Sequence, residues 1–223
     1  PSILKEQLEM EEEVPYLKEM RSVSGNPWSA YVKISDGCSN HCTYCAIPLI
    51  RGEQYSKLIH EVRDEAEFLA SKGVTEITLI AQYTTKYGLY NYGELKLADL
   101  IREVSKVDGI HWIRILYMYP DEITEDVLQA IRESDKVLPY FDIPMQHASN
   151  RLLKKMNRRG TKEELTALVA RIRELFPEAV LRTTAIVGFP SETEEEFEEL
   201  LDFIKEIGWD RLGAFTYSKE EDT

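Results

Sequence analysis

Cysteine is scarce in this chain: 223 residues carry three, Cys38, Cys42 and Cys45, all within one short segment. An odd number spaced this tightly excludes a disulfide framework, and clustered thiols of this kind point instead to metal binding or redox chemistry. Long apolar runs are missing as well. No stretch approaches the roughly 18 residues of a membrane span, so no membrane association is expected. The opening Pro1-Ser2-Ile3-Leu4 lacks the basic-then-apolar pattern of a secretory signal, and it lacks an initiator Met, which suggests a piece of a longer cytoplasmic protein. Positive charge is in deficit, with 27 Lys and Arg against 40 Asp and Glu and a net charge of −13. Such a field repels phosphate backbones, so direct nucleic-acid binding by this segment is not expected and a basic protein partner is favoured. The plainer account of the acidity is that Glu and Asp solvate helix faces.

What is present is enough apolar material, 43% of residues, for a sizeable core in one large domain. Residues 1–30 are acidic and punctuated by Glu11-Glu12-Glu13, Val14-Pro15 and Gly25-Asn26-Pro27. They read as a linker or lead-in with one short helix, leaving residues 31–223 as the core. Short apolar runs at 31–35, 76–81, 112–118, 140–145, 181–188 and 211–217 read as buried parallel strands. Between them lie helical patterns. Leu165, Leu168, Val169, Ile172, Leu175 and Phe176 share one helix face, as do Phe197, Leu200, Leu201, Ile204 and Ile207. Thr161 with Glu164, and Thr193 with Glu196, fit capping boxes at helix starts. Alternating β and α over about six units predicts an α/β fold with a parallel sheet. Eight units would close a TIM barrel, so about six imply a partial, open one. Site-forming loops should leave the C-terminal strand ends, where the unusual segments fall: the cysteine loop, residues 81–85, 117–120, 144–147 and 188–193.

The cysteine loop reads Asp36-Gly37-Cys38-Ser39-Asn40-His41-Cys42-Thr43-Tyr44-Cys45. Three close thiolates suit a soft metal or a cluster. A cubane 4Fe–4S cluster normally takes four cysteines; with three, one iron lacks a protein ligand and is open to a small molecule. The alternatives are a structural Cys3His zinc site using His41 or His147, and a reactive thiol group without metal.

The Cys-x3-Cys-x2-Cys spacing, with Tyr44 before the last cysteine, resembles the radical S-adenosylmethionine (SAM) signature. The resemblance implies a 4Fe–4S cluster whose open iron chelates SAM, and reductive cleavage of SAM to a 5′-deoxyadenosyl radical. Residues 31–38, Ile47-Pro48, Arg51-Gly52, Gly188-Phe189-Pro190, Glu192-Thr193 and Tyr217-Ser218 are similar, in order, to the methylthiotransferase family. Ala81-Gln82, Thr84-Thr85, Tyr87-Gly88 and Asp142-Ile143-Pro144-Met145-Gln146-His147 look most like its ribosomal-protein branch rather than its tRNA branch. That resemblance implies methylthiolation of an aspartate β-carbon in a small-subunit ribosomal protein, a second SAM as methyl source, and a reductant such as flavodoxin or ferredoxin. It also implies an N-terminal domain with a second 4Fe–4S cluster and a C-terminal β-barrel domain, which this chain lacks. Two positions depart from the pattern. Tyr83 stands where an acidic residue is usual, and Ser191 where Gly is usual; the first bears on substrate contact, the second on the turn.

The candidate ligands of the cluster are Cys38, Cys42 and Cys45. No residue is assigned as a catalytic acid or base, because the cofactor carries the hard chemistry. Gln82 is a candidate for the methionine end of SAM, or a polar residue fixing its own loop. Gln146 is a candidate for the ribose hydroxyls, with His147 beside it either catalytic or satisfied by a backbone partner. Tyr44 is a candidate to pack near the adenine, or simply against the cluster. Ile186, Gly188 and Phe189 are candidates for the adenine pocket, with Gly188 permitting close backbone approach or serving only the turn. Arg51 suits a carboxylate or a structural salt bridge. Arg114 and Arg182 lie in apolar runs and need partners, either near substrate or in rim ion pairs.

Overall fold

The structure is a computed structural model that describes residues 25–223; the linker reading of residues 1–24 lies outside the described residues. In chain order the elements are β1 (Ser29–Lys33), the two-residue β2 (Ser35–Asp36), α1 (Ile47–Arg51), β3 (Tyr55–Ser56), α2 (Ile59–Ser71), β4 (Glu76–Ile80), α3 (Leu89–Tyr92), α4 (Leu97–Val104), β5 (Trp112–Ile115), α5 (Glu125–Glu133), β6 (Val137–Asp142), α6 (Asn150–Lys155), α7 (Lys162–Leu175), β7 (Val180–Val187), α8 (Glu194–Ile207) and β8 (Arg211–Thr216). Six strands form one sheet in the order β1-β4-β5-β6-β7-β8, every neighbouring pair parallel. β2 and β3 make a separate antiparallel ladder. Among the described residues β1 and β8 pair with no further strand, so the α/β barrel is partial and open, as the six units predict.

Each expected strand forms, with shifted ends. β1 starts two residues early and β5 stops at Ile115, because the chain turns at Tyr117 with φ 60°. β6 begins at Val137 and includes Pro139, at which the pairing with β5 slips between Ile113 and Ile115. A proline gives no amide to a ladder and is tolerated at such a break.

The strands are two-faced, where the sequence suggests burial on both sides. Val32, Ile77, Leu79, Ile113, Phe141 and Leu181 are fully buried and belong to the core cluster shared with the helices. Successive side chains point to opposite sides of a strand, so the other face carries Arg114, Tyr140, Asp142 and Arg182. Arg114 reaches Glu76 (Nε–Oε1, 3.2 Å) and lies over the Tyr140 ring. Arg182 donates to the fully buried Asp142 (Nη1–Oδ1, 2.6 Å). Both arginines have the partner that their position demands, and the partner is an ion pair between neighbouring strands.

Helix α7 follows its predicted face, with Leu165, Val169 and Ile172 buried. In α8 the stripe is rotated: Leu200, Phe203 and Ile207 are buried, and Leu201 is exposed. Phe203 lies one turn from both Leu200 and Ile207, so it shares their face while Leu201 sits at its edge. Both capping boxes form, with Thr161 accepting from Glu164 N and Thr193 from Glu196 N. Phe141 of β6 meets Phe176, which caps α7, at 5.5 Å between ring centroids. Phe141→Ala empties that contact and is expected to lower stability by about 3–5 kcal/mol, measured by denaturant unfolding.

Candidate active site

The cysteine loop leaves the β1 end of the sheet and is pinned on both flanks. On one side β2 and β3 pair, Ser35 Oγ meets Ser56 Oγ at 2.9 Å, Cys38 N donates to Gly52 O (3.1 Å), and Gln54 N donates to Ser39 Oγ (3.1 Å). The turn requires Gly37: its φ is 74°, and a Cβ there would stand 2.2 Å from Glu53 O. On the other side Thr43 N donates to Met156 O (3.1 Å) and Thr43 Oγ1 to Lys155 O (3.0 Å), satisfying carbonyls that the end of α6 leaves open. That helix ends in a Schellman turn. Asn157 has φ 53°, its N donates to Lys154 O, and Arg158 N donates to Leu153 O. The Asn157 side chain then donates to His41 O (2.9 Å).

The three thiols are unbridged and part-buried. Burial pushes the Cys38 and Cys45 thiols up, and the charge of neighbouring thiolates pushes them further. Backbone amides of Asn40 and Ile47 act in the opposite direction on Cys38 and Cys45 respectively. Cys42 Sγ accepts from Asn40 Nδ2 (3.4 Å) and from Arg158 Nη1 (3.9 Å). Thiols that disfavour one another's ionisation are well matched to a metal group that neutralises them together. Among the described residues no group of three His, Cys, Asp or Glu side chains is already arranged around a metal-sized space. His147 is no fourth ligand. It is buried, its Nδ1 accepts from Ser149 N (3.0 Å), and its Nε2 faces Glu192 Oε1 (3.1 Å). Glu192 Oε2 accepts from the amides of Gly188 and Phe189. His147 is thus satisfied in a structural relay that ties the β6 loop to the turn after β7.

Tyr44, Ile186 and Phe189 come together in the structure. They share an apolar cluster with Leu152, Met156 and Tyr217, and the Phe189 and Tyr217 rings meet edge-on at 5.4 Å. Gly188 has φ 74°, and no protein atom lies within 4 Å of a Cβ built there. Gln146 sits at φ 71° and bridges in parallel to Ala185 beside β7. Its side-chain Oε1 is buried without a partner, an acceptor that awaits a donor. Gln82 is exposed at the end of β4. Arg51 stays about half exposed, 3.9 Å from Asp36. Three unbridged thiols on one loop and an orphaned buried acceptor are the donor set that a cluster with an adenosyl ligand would use.

A sequence profile described as the radical SAM superfamily matches residues 32–204. The chain belongs to the radical SAM superfamily. Its curated relatives in that superfamily include the ribosomal protein uS12 methylthiotransferase RimO of Clostridioides difficile (strain 630), 51% identical over 91% of this chain and 46% of the relative. The RimO of Thermotoga maritima is 51% identical over 87% of this chain and 45% of its own length. The chain therefore spans about half the length of the curated relatives it matches. Among solved structures, the radical S-adenosylmethionine methyltransferase TsrM from Kitasatospora setae, with cobalamin and a [4Fe-4S] cluster bound, superposes with TM-score 0.69 at 18% identity, over 84% of this chain and 36% of that one. HydG, a maturase of the [FeFe]-hydrogenase, does so with TM-score 0.56 at 13% identity, over 87% and 44%. These two share the fold.

Both departures within this radical SAM barrel have a structural setting. Tyr83 is buried, stacks on Tyr119 at 4.9 Å, and takes a hydrogen bond from Arg159. Ser191 adopts φ 72°, the region in which Gly is free of strain, and its Oγ accepts from Lys155 Nζ (2.6 Å). Sequence reasoning missed Arg158, Gln54 and Glu192. The Asn157-Arg158-Arg159-Gly160 run after an amphipathic helix is a C-cap signal that would have located Arg158. Nothing marks Gln54, which is buried and donates to Tyr83 O (2.9 Å).

Gly37→Ala is expected to lose about 1–3 kcal/mol from φ strain alone, and more from the clash with Glu53. Its iron content after anaerobic reconstitution should fall, read by metal analysis beside thermal unfolding. The Glu196 carboxyl is held down to about 2 by Arg151, with Ser149 adding a hydrogen bond. A depressed carboxylate contributes stability that is complete above the ordinary glutamate value and lost as pH falls towards the folded one. Glu196→Gln should therefore be less stable than the parent chain near pH 7, and the gap should narrow from about pH 4.5 downward in denaturant titrations.

Proposed function

We propose that this chain is the barrel core, residues 31–223, of a radical SAM methylthiotransferase that modifies the β-carbon of an aspartate in a small-subunit ribosomal protein. About half of its residues are identical to those of curated RimO proteins along nine-tenths of its length, which supports the substrate class. The observation that carries the reaction class is the clamped loop bearing the chain's only three cysteines at the strand-end mouth of the barrel. Cys38, Cys42 and Cys45 would hold a 4Fe–4S cluster, which when bound supplies the electron that breaks a carbon–sulfur bond of SAM. Tyr44, Ile186 and Phe189 offer the apolar wall for adenine, with Gly188 leaving room beside it. The unpartnered Gln146 Oε1 would accept from a ribose hydroxyl, and Gln82 would serve the methionine end. No side-chain acid or base is needed for that cleavage.

The remaining parts belong to the longer protein. A second cluster in an N-terminal domain, a C-terminal β-barrel domain, a second SAM as methyl source and a flavodoxin- or ferredoxin-like donor complete the scheme, in the cytoplasm. Among the described residues no helix is long and apolar enough to cross a membrane.

Anaerobic reconstitution followed by electron paramagnetic resonance tests the reading. SAM should perturb the signal of the reduced cluster, and strong reductant should yield methionine and 5′-deoxyadenosine without sulfur insertion by the isolated chain. Cys38→Ala, Cys42→Ala and Cys45→Ala should each reduce that yield to background. A cluster indifferent to SAM, with no 5′-deoxyadenosine, would make this an electron-transfer protein. Incubating the full-length relative with the ribosomal protein and with tRNA separates the two substrate classes.

A further inference from the structure

Arg158 is the one cation among the described residues whose donor reaches a cysteine sulfur: Nη1 lies 3.9 Å from Cys42 Sγ and 3.4 Å from the Tyr44 hydroxyl. Its Nη2 donates to Pro144 O at 2.6 Å. The guanidinium carbon stands 4.2 Å from the centroid of the buried Tyr119 ring, within the range of a cation–π contact. The Schellman turn of α6 fixes its backbone. The side chain is thus aimed from three directions, and its charge is permanent.

Hydrogen bonds to ligating sulfurs, and positive charge beside them, are levers by which a protein tunes an iron–sulfur potential. A guanidinium stabilises the more negative, reduced form, so it makes reduction easier. We propose that Arg158 is a positioning residue that donates to the Cys42 sulfur and raises the reduction potential of the cluster held there, an inference that rests on the cluster reading above. The step concerned is uptake of one electron from a low-potential donor, with no bond broken. Arg159, one residue along, also lies over Tyr119 at 5.7 Å, but its side chain pairs with Asp121 and Glu122 and is half exposed. It carries the same charge without the sulfur contact and is the natural control.

The test is an anaerobic redox titration of the reconstituted chain, followed by electron paramagnetic resonance, with iron and sulfide counted in each variant. Arg158→Gln should lower the midpoint so that the reduced-to-oxidised ratio at a fixed potential falls about tenfold, 59 mV for a one-electron couple. Arg158→Lys should fall by less, because a lysine keeps the charge but cannot serve both Pro144 and the sulfur. Arg159→Gln should leave the midpoint near that of the parent chain. If the glutamine variant does not load, the lysine variant decides, since a merely structural clamp would change iron content or melting temperature and leave the midpoint in place. Unchanged midpoints in the loaded Arg158 variants, or an equal shift from Arg159→Gln, overturn the proposal. Failure of the parent chain to assemble a 4Fe–4S cluster would instead sink the underlying reading.

Discussion

The site depends on the backbone clamp around the cysteine loop. Ordering a residue costs roughly 1–2 kcal/mol of chain entropy, while a typical hydrogen bond returns a net ~0.5–1.5 kcal/mol. A loop of Ser, Asn, His and Thr with little to bury cannot offset that cost alone. It borrows order from its neighbours instead: the Gly52 carbonyl on one flank, the open carbonyls of α6 on the other, and the apolar cluster into which Tyr44 inserts. Metal affinity adds to folding free energy when ligands are gathered from such a segment, so loop order and metal binding should reinforce each other.

The second constraint is the unequal dressing of the sheet. Its helix-facing side is filled with Val, Ile, Leu and Phe, as any α/β layer requires. A closed eight-stranded barrel also fills its interior with layers of branched side chains. Here the corresponding positions hold Arg114 with Glu76 and Arg182 with Asp142. Ion pairs in sheltered positions add little net stability over apolar packing, because desolvation offsets attraction. Their presence gives this face a polar character that the helix-facing side lacks, in a barrel that six strands leave open.

Most of the architecture was legible because it rests on local patterns: six β-rich runs, two capping boxes and a helix stripe at Leu165, Val169 and Ile172 all form. The errors lie where a tertiary choice overrides the pattern. Leu201 and Phe203 are equally apolar, and only packing against the sheet selects Phe203. A six-residue apolar run looks the same whether one face or both are covered, so the paired arginines read as oddities instead of as the polar face. The grouping of the three cysteines on one loop was legible from their spacing, and the meeting of Tyr44 with Ile186 and Phe189 from their places at strand ends. The C-cap run marks where Arg158 sits but not its contact with Cys42, more than a hundred residues away, and nothing marks Gln54, which acts through a buried backbone carbonyl. His147 looked reactive beside Gln146, yet both its nitrogens are spent on Ser149 and Glu192.

Two glycines with the same backbone angle show how need by the protein differs from room for a ligand. Gly37 and Gly188 both have φ 74°. At Gly37 a methyl group would collide with the backbone of Glu53, so the residue is fixed by the clamp itself. At Gly188 a methyl group would meet no protein atom within 4 Å, so packing does not explain the glycine and only the angle does. Ser191, three residues on, bears a comparable angle with a side chain in place, which shows that strain of this size is tolerated in that turn when hydrogen bonds from Arg151 and Lys155 support it. Gly188 is exposed and its amide is held by Glu192. A side chain there would carry the strain of that angle without any clash, whereas at Gly37 it would carry both.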